Sequence, residues 1–481
     1  MLGLTAAYML VQLSSLPVAL SLPTLAEYFD TSIGDAAWVV IVYLLVLGSL
    51  VLLAARLGDR LGHTRVFFIG IVTTTIGSVL IAFSQELWQI VLWRGVTGIG
   101  SALIMGNSAA ILAANFAPNE RGRAFAIPII GARFGTLTGL VVFSLFLNYL
   151  SWRFIFISFV PLGVLAIFAA VPMLRHKEQP RSAGSTGPID WLGGLLLVGT
   201  AAVLVLSGTH LHGGEESFVS SNGLSYHIPM HVLFLALAAT FVIVEIRARN
   251  PMIPMVHFKH MPFSTSLVSN VVYHGSMLAV MTLVPILVEE GFGLSPLFVI
   301  VVLLPNQALG LFMPIVAGWI WDKYQPRFLR PATLAMIAGG FLLLGLLASD
   351  VSIWVIPLLL LPISIGTNIF NPINNAAVMN SLPLEHRGVA SGVLETTREL
   401  GHALGATAAA GALTLALPVG IELLSDDLAQ TYFVRGFQVA SLLVVFALLF
   451  GAALTYFHRP SVRPPPTPEP TEPSLQPGGD D

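Results

Sequence analysis

The sequence predicts an all-α integral membrane protein, and three observations carry that prediction. Of 481 residues, 55% are hydrophobic and only 10% are charged. Soluble domains carry about 25% charged residues, so a water-facing surface cannot be built from this chain and its main solvent is lipid. The apolar residues gather into fourteen runs, each close to the ~20 residues that a helix needs to cross a bilayer. Alternating ten-residue strands of a membrane barrel are absent, and helices satisfy their own backbone groups in lipid.

In chain order, the first run, at 4–23, follows Met1-Leu2-Gly3 with no basic stretch before it and no small-residue cleavage site. That pattern predicts a retained span rather than a signal peptide, and a start so close to a membrane helix leaves room for an upstream start codon. Runs at 37–56 and 66–84 flank a short charged loop, Arg56-Leu57-Gly58-Asp59-Arg60-Leu61-Gly62-His63-Thr64-Arg65. Runs at 87–114, 124–149 and 152–174 complete a first set of six. Those at 189–209 and 229–246 form a separate pair. A second set of six lies at 262–288, 295–320, 330–349, 352–380, 388–417 and 435–457. The remainder, 459–481, is proline-rich and acidic with almost nothing apolar to bury, so it is expected to be disordered.

Charge sets the expected orientation. Loops after even-numbered runs, from Arg56 through Arg121 and Arg387 to Arg463, hold seventeen of the 22 Lys+Arg residues. Odd-numbered connections hold Arg153 and Arg435, and Arg94, Arg133 and Arg398 lie inside runs. The positive-inside rule then places both termini of a multi-pass cell-membrane protein in the cytoplasm. A net charge of −3 points to no nucleic-acid partner. Without cysteines, disulfides, thiolate metal sites and cysteine catalysis are excluded. No Gly-x-x-x-x-Gly-Lys-Ser/Thr loop, no His-Glu-x-x-His and no other metal spacing occurs. The expectations are therefore no cofactor, no metal and no enzymatic activity, with energy drawn from an ion gradient or the cargo's own gradient.

An internal repeat relates the two sets of six. Asp59-Arg60 … Arg65 after run 2 is echoed by Asp322-Lys323 … Arg327 after run 10. Aligning Arg121-Gly122 with Arg387-Gly388 matches Ala124 with Ala390, Gly135 with Gly401 and Gly139 with Gly405. The expected organisation is a six-helix bundle at 1–174, a linker with two inserted helices at 175–261, a second six-helix bundle at 262–458, and the tail. Duplicated bundles with a site at their interface are a recurring transporter design.

The loop Asp59-Arg60-x-Gly62-x-x-Arg65 resembles the signature between the second and third helices of the major facilitator superfamily. Further stretches resemble its fourteen-helix branch, mostly drug:proton antiporters. They are Leu92-Trp93-Arg94-Gly95 … Gly98-Ile99-Gly100, Ser151-Trp152-Arg153-Phe154, Pro188-Ile189-Asp190-Trp191 and Asn250-Pro251-Met252-Ile253-Pro254 with Phe258. The resemblance spans about 4–458 and implies the major facilitator fold. Two departures stand out. Ser14 occupies the position where the branch usually carries an acid, and Gly131-Ala132-Arg133-Phe134-Gly135-Thr136-Leu137-Thr138-Gly139-Leu140 lacks the proline and last glycine of the antiporter motif.

Candidate residues fall into three groups. Gly58, Asp59, Arg60, Gly62 and Arg65, with Asp322 and Lys323, are expected to form a cytoplasmic gate in which Asp59 meets basic groups or a helix N-terminus when that side is closed; Arg56 and His63 fit a topology-setting role. Glu395, Arg398, Glu399 and His402 share one helical face, and Arg398 lies ~15 Å deep, near the midplane. Intramembrane charges of this kind serve either as a proton or substrate relay or as an ion-pair set joining two helices. The resemblance ties Arg94 to proton coupling, the alternative being a structural partner of Glu395 or Glu399. Arg133 suits an anionic substrate. Asn368, Asn371 and Asn375 share a face that lines a cavity or another helix, to which Asn270, His274, Asn306 and Gln307 can contribute; His274 alone fits a packed helix contact or a proton carrier.

The expected function is a monomeric secondary active transporter, working in the lipid bilayer on a small-molecule substrate with protons or another coupling ion. Proton-coupled efflux of amphiphilic compounds leads. An organic-anion carrier and a transport-inactive scaffold or sensor are the alternatives.

Overall fold

The structure, a computed structural model, describes residues 1–15, 18, 21–31, 33–175, 190–208, 223–248, 251, 253–294, 297–383, 386–418 and 425–457. The tail at 459–481, Pro188-Ile189, Asn250 and Met252 lie outside the described residues.

The described residues are built from helices. The first group is α1 (Leu2–Leu13), α2 (Leu22–Tyr28), α3 (Ile33–Leu61), α4 (His63–Ala82), α5 (Leu87–Asn115), α6 (Arg121–Tyr149), α7 (Arg153–Ile157) and α8 (Phe159–Arg175). A pair follows, α9 (Trp191–Gly208) and α10 (Gly223–Arg247). The last group is α11 (Met261–Ile286), α12 (Leu297–Leu309), α13 (Met313–Tyr324), α14 (Leu329–Leu347), α15 (Ile356–Leu359), α16 (Leu361–Ser381), α17 (Arg387–Ala416) and α18 (Asp426–Phe457). Nine helical stretches among the described residues are long and apolar enough to cross a membrane, and Leu2–Leu13 and Trp191–Leu204 are shorter apolar helices.

Four runs expected to be continuous are broken: run 6 divides into α7 and α8 at Ser158, run 12 into α15 and α16 at Leu360, and runs 1 and 10 as follows. Run 1 divides into α1 and α2, where Ser14-Ser15 ends the apolar stretch and Pro23 starts the next helix. Run 10 divides into α12 and α13, because Pro305, Gly310 and Pro314 crowd one stretch and Pro314 opens α13. Proline lacks the N–H that would continue a helix and favours the first turn.

The two groups pack by one plan. α1 lies on α6 and α8, while α11 lies on α17 and α18; α4 lies on α5 and α8, while α14 lies on α16 and α18. The repeat thus extends from sequence to packing. Even the tight turns correspond. Gly62, three residues after Asp59, takes φ 98°, and Gln325, three residues after Asp322, takes φ 40°. Both turns need the left-handed region that favours glycine, and the second meets that need with a side chain present. Inside the second group, Gly405 of α17 sits against the Gly275 backbone of α11, so any Cβ there would overlap main chain.

α9 packs on α3 and α17, and α10 packs on α9. Ile228, Val232, Leu235, Ile243 and Ile246 of α10 are exposed, as expected for a helix surrounded by lipid.

Candidate functional site

Two sets of polar contacts stand out, the first joining the two helix groups and the second running within the last group. The first lies at the helix ends marked by the basic loops, here termed the basic end. Asp59, at the end of α3, forms an ion pair with Arg56 (3.3 Å), and its Oδ1 lies 3.4 Å from His63 Nε2. Its carboxylate also lies against Gly388 in the first turn of α17, where a Cβ would overlap it. In the other half Asp322, at the end of α13, meets the first turn of α6. It accepts the backbone N–H of Gly122 (2.8 Å) and Arg123 (3.0 Å) and the Arg123 Nε–H (3.1 Å). Each acid therefore touches the N-terminus of a helix in the opposite group. A helix N-terminus carries unpaired N–H groups and a partial positive charge, so a carboxylate is held there.

Arg121 strengthens this junction. It donates to the carbonyls of Ala113 (2.8 Å) and Met379 and to Asn380 Oδ1, crossing from α6 to α16. Ser391 of α17 donates to the Gly106 carbonyl of α5 (2.8 Å). Arg56 also donates to the Pro251 carbonyl (2.8 Å), and His63 bonds Asn107 Oδ1 (2.8 Å). Arg56 and His63, expected only to set topology, thus belong to the acid's own contacts. Lys323 instead stacks over Trp319 and Tyr324, while Arg60 and Arg65 are exposed.

Beside this junction, His257 stacks on His386, just before α17, with ring centroids 4.4 Å apart. Burial, followed by the neighbouring His386, Arg56 and His260, pulls the His257 pKa below 6.5.

The second set lies deeper, on α17. Arg398 Nη1 is 2.6 Å from Glu395 Oε2, and its Nε and Nη2 donate to Glu399 Oε1 at 3.0 and 2.9 Å. Glu399 Oε2 faces His402 Nδ1 at 3.6 Å. His402 Nε2 is 3.1 Å from His274 Nδ1 on α11. The chain Glu395–Arg398–Glu399–His402–His274 is continuous. On its far side stand residues of the first helix group. Tyr8 lies beside Ser108 and within electrostatic reach of Glu395 and Arg398; Tyr43 is within reach of Glu399; Arg133 is within reach of Tyr273 and His274.

Several expected contacts fall elsewhere. Arg94 is fully buried but pairs with neither Glu395 nor Glu399. Its Nε donates to the Val39 carbonyl (2.7 Å), its Nη1 to Ser14 Oγ (3.0 Å), and it stacks on Tyr43 at 4.2 Å. Its Nη2 has no hydrogen-bond partner. The serine at the branch's usual acidic position therefore meets this arginine with a neutral hydroxyl. Asn270 is buried and donates to Leu394 O and Thr397 Oγ1, both at 3.0 Å, so it ties α11 to α17 rather than facing a cavity. Asn368 is buried on the Ser364 carbonyl with its Oδ1 unpartnered, while Asn371 and Asn375 are half-buried and Asn371 meets Tyr273. The side chains of Asn306 and Gln307 lie outside the described residues. Arg330, counted with the loop residues, is buried at the start of α14 and donates to Ser266 Oγ (2.8 Å) and Asn374 Oδ1 (2.7 Å).

Asn107, Arg121, Arg123, Gly122, Gly388 and Ser391 were not among the expected functional residues. The paired Arg-Gly dipeptides at 121–122 and 387–388 carried the signal: a glycine in the first turn of each repeat-related helix leaves room for an incoming carboxylate.

Residues 2–406 match the family model for the Major Facilitator Superfamily. The riboflavin transporter RibZ of Clostridioides difficile is 26% identical over 386 residues, covering 80% of this chain and 81% of that protein. The multidrug efflux pump LfrA of Mycolicibacterium smegmatis is 26% identical over 400 residues, covering 82% and 77%. The solved structure of the proton:xylose symporter XylE superposes with a TM-score of 0.61 over 92% of this chain and 93% of that chain, at 14% identity, a likeness of fold.

Proposed function

The chain belongs to the Major Facilitator Superfamily, and on that premise we propose that it exports small amphiphilic compounds by alternating access, driven by protons. It is a multi-pass membrane transporter of small molecules and not an enzyme. In the proposed arrangement both termini are cytoplasmic, fourteen helices cross the bilayer, and the monomer divides into bundles at 1–174 and 262–458 with an inserted pair between them. The basic end is then the cytoplasmic end. Asp59 on α17 and Asp322 on α6 hold it shut, and their release opens the path to that side.

The α17 network carries the coupling reading. Glu395, Arg398 and Glu399 sum to a formal charge of −1 with both acids ionised. A net charge at mid-bilayer depth costs several kcal/mol, so uptake of one proton is favoured there. Glu399 faces a hydrogen-bond donor on each oxygen, Arg398 and His402, whereas Glu395 has Arg398 alone, which makes Glu395 the acid that accepts the proton. Loading it leaves Arg398 to Glu399 and removes the negative charge that Glu395 presents beside Tyr8 of the first bundle.

The test is a susceptibility panel in an efflux-deficient host with and without an uncoupler, followed by flux in vesicles. Uncoupler-sensitive resistance that Glu395→Gln abolishes supports proton-driven export. Resistance unaffected by the uncoupler removes the coupling.

A second reading, an organic-anion carrier, rests on Arg94 and Arg133. Arg94 meets Ser14 where an acid is usual, and its Nη2 is unpartnered. Accumulation of an anion with no drug phenotype would favour it.

A further inference from the structure

We propose that His274 and His402 form a one-proton site, separate from Glu395, in which a single excess proton is shared between α11 and α17. The inference rests on the proton-coupled reading of this network for its purpose, but not for its geometry.

Two imidazole nitrogens 3.1 Å apart can hold only one hydrogen between them, because a hydrogen bond needs a donor on one side and a bare lone pair on the other. The rings meet edge to face, with centroids 4.9 Å apart and an interplanar angle of 86°. Glu399 settles which tautomers are present. Its Oε2 is 3.6 Å from His402 Nδ1, and a carboxylate oxygen repels a bare ring nitrogen. His402 therefore carries its hydrogen on Nδ1, its Nε2 is bare, and His274 Nδ1–H donates to it. That leaves His274 Nε2 as the basic atom of the neutral pair.

An added proton enters at His274 Nε2. The hydrogen between the rings then passes from His274 Nδ1 to His402 Nε2, and His402 becomes an imidazolium beside Glu399. One proton has been gained and no other bond is made or broken. A second excess proton would set N–H against N–H at 3.1 Å, with Arg398 and Arg133 adding further positive charge. The capacity of the pair is one.

The charged and titratable neighbours make this uptake part of the network. On α17 they are Glu395, Arg398 and Glu399; on α11, Tyr273; on α6, Arg133; and across the interface, Tyr8 and Tyr43. With the proton on the His pair, Glu395, Arg398, Glu399 and the pair sum to zero. With the proton on Glu395 and the pair neutral, they also sum to zero. The two placements compete for one proton at opposite ends of a single chain. They differ in what faces Glu399 Oε2, an imidazolium at His402 in the first and a neutral His402 in the second, while Arg398 stays on Oε1.

The experiment follows the side-chain nitrogens of 15N-histidine-labelled full-length protein in nanodiscs from pH 5 to 9, with His402→Gln and His274→Phe assigning the two rings among 12 histidines. The expected result is a joint transition of both rings that takes up one proton in total. Glu399→Gln should weaken that uptake about tenfold or more by removing the facing carboxylate. If His274→Phe fails to fold, His274→Asn provides the assignment, and the wild-type titration is decisive in either case. Two independent one-proton transitions, or no change at either ring across the range, overturn the shared site. A shared transition together with uncoupler-insensitive efflux keeps the site and removes proton coupling. Uncoupler-sensitive efflux without a shared transition does the reverse.

Discussion

Replacing Asp322 with asparagine removes the contacts that hold α13 to the start of α6. The carboxylate accepts three hydrogens: Gly122 N–H on Oδ1, and Arg123 N–H and Nε–H on Oδ2. An amide keeps one acceptor oxygen. Facing Gly122 it turns its NH2 on both Arg123 donors, and facing Arg123 it turns it on the Gly122 N–H, so at least one backbone bond is lost. The Arg123 side chain is 52% exposed, and its surface contact is worth ~0–1 kcal/mol. The backbone bond to a buried carboxylate is worth about 1.5–3 kcal/mol, and the charge at a helix N-terminus adds ~0.3–1 kcal/mol. The closed basic end should lose about 2–4 kcal/mol, a shift of roughly 30- to 900-fold in the closed-to-open ratio. The chain has no cysteines, so spin labels at Leu61→Cys and Tyr324→Cys, both exposed positions, report the separation without background labelling. Asp322→Asn should move the distance distribution to longer values in detergent and nanodiscs. An unchanged distribution in a folded variant would refute the assignment of Asp322 as a closing contact.

Three further outcomes follow from the same structure. Gly405→Ala should lower thermal stability by several °C, since its Cβ meets the Gly275 main chain, whereas Gly339→Ala, with nothing within 4 Å, should be neutral or stabilising by up to ~1 kcal/mol; equal melting temperatures for the two variants would contradict the α11–α17 crossing. Arg330→Met should cost about 3 kcal/mol by stranding Ser266 and Asn374, read by thermal unfolding, and a change below ~1 kcal/mol would show that Arg330 is not holding them. Because the His257 pKa is lowered in the fold, the unfolded chain binds more protons below pH 6.5, so stability should fall as pH drops through that value; His257→Asn should flatten this dependence between pH 7 and 5.5, and an unaltered slope would exclude His257 as its source.

The network on α17 was legible because charge inside an apolar run is costly and helical periodicity is simple: offsets of 0, 3, 4 and 7 place Glu395, Arg398, Glu399 and His402 on one face whatever surrounds them. His274 was not legible as its continuation. It stands 128 residues away from His402, and nothing local marks the 3.1 Å approach across the α11–α17 crossing. Asn270 and Asn371 illustrate the same limit. Both are amides in apolar helices, yet one is consumed by the Leu394 carbonyl and Thr397, while the other stays half-buried beside Tyr273.

Composition and periodicity alone determined the solvent of this protein, the helical class, the spacing of its apolar runs and the two related halves, because lipid admits few backbone solutions and a duplicated sequence repeats its packing. Tertiary structure alone decided the partners. Asp59 and Asp322 were visible as charges in loops, but their exchange onto α17 and α6 depends on two helix N-termini brought in from the opposite half. Arg94 was visible as a buried charge, but its partner turned out to be Ser14 and a backbone carbonyl, because hydrogen-bond satisfaction is settled by which groups the fold brings within about 3 Å, and that distance is not written in any local pattern.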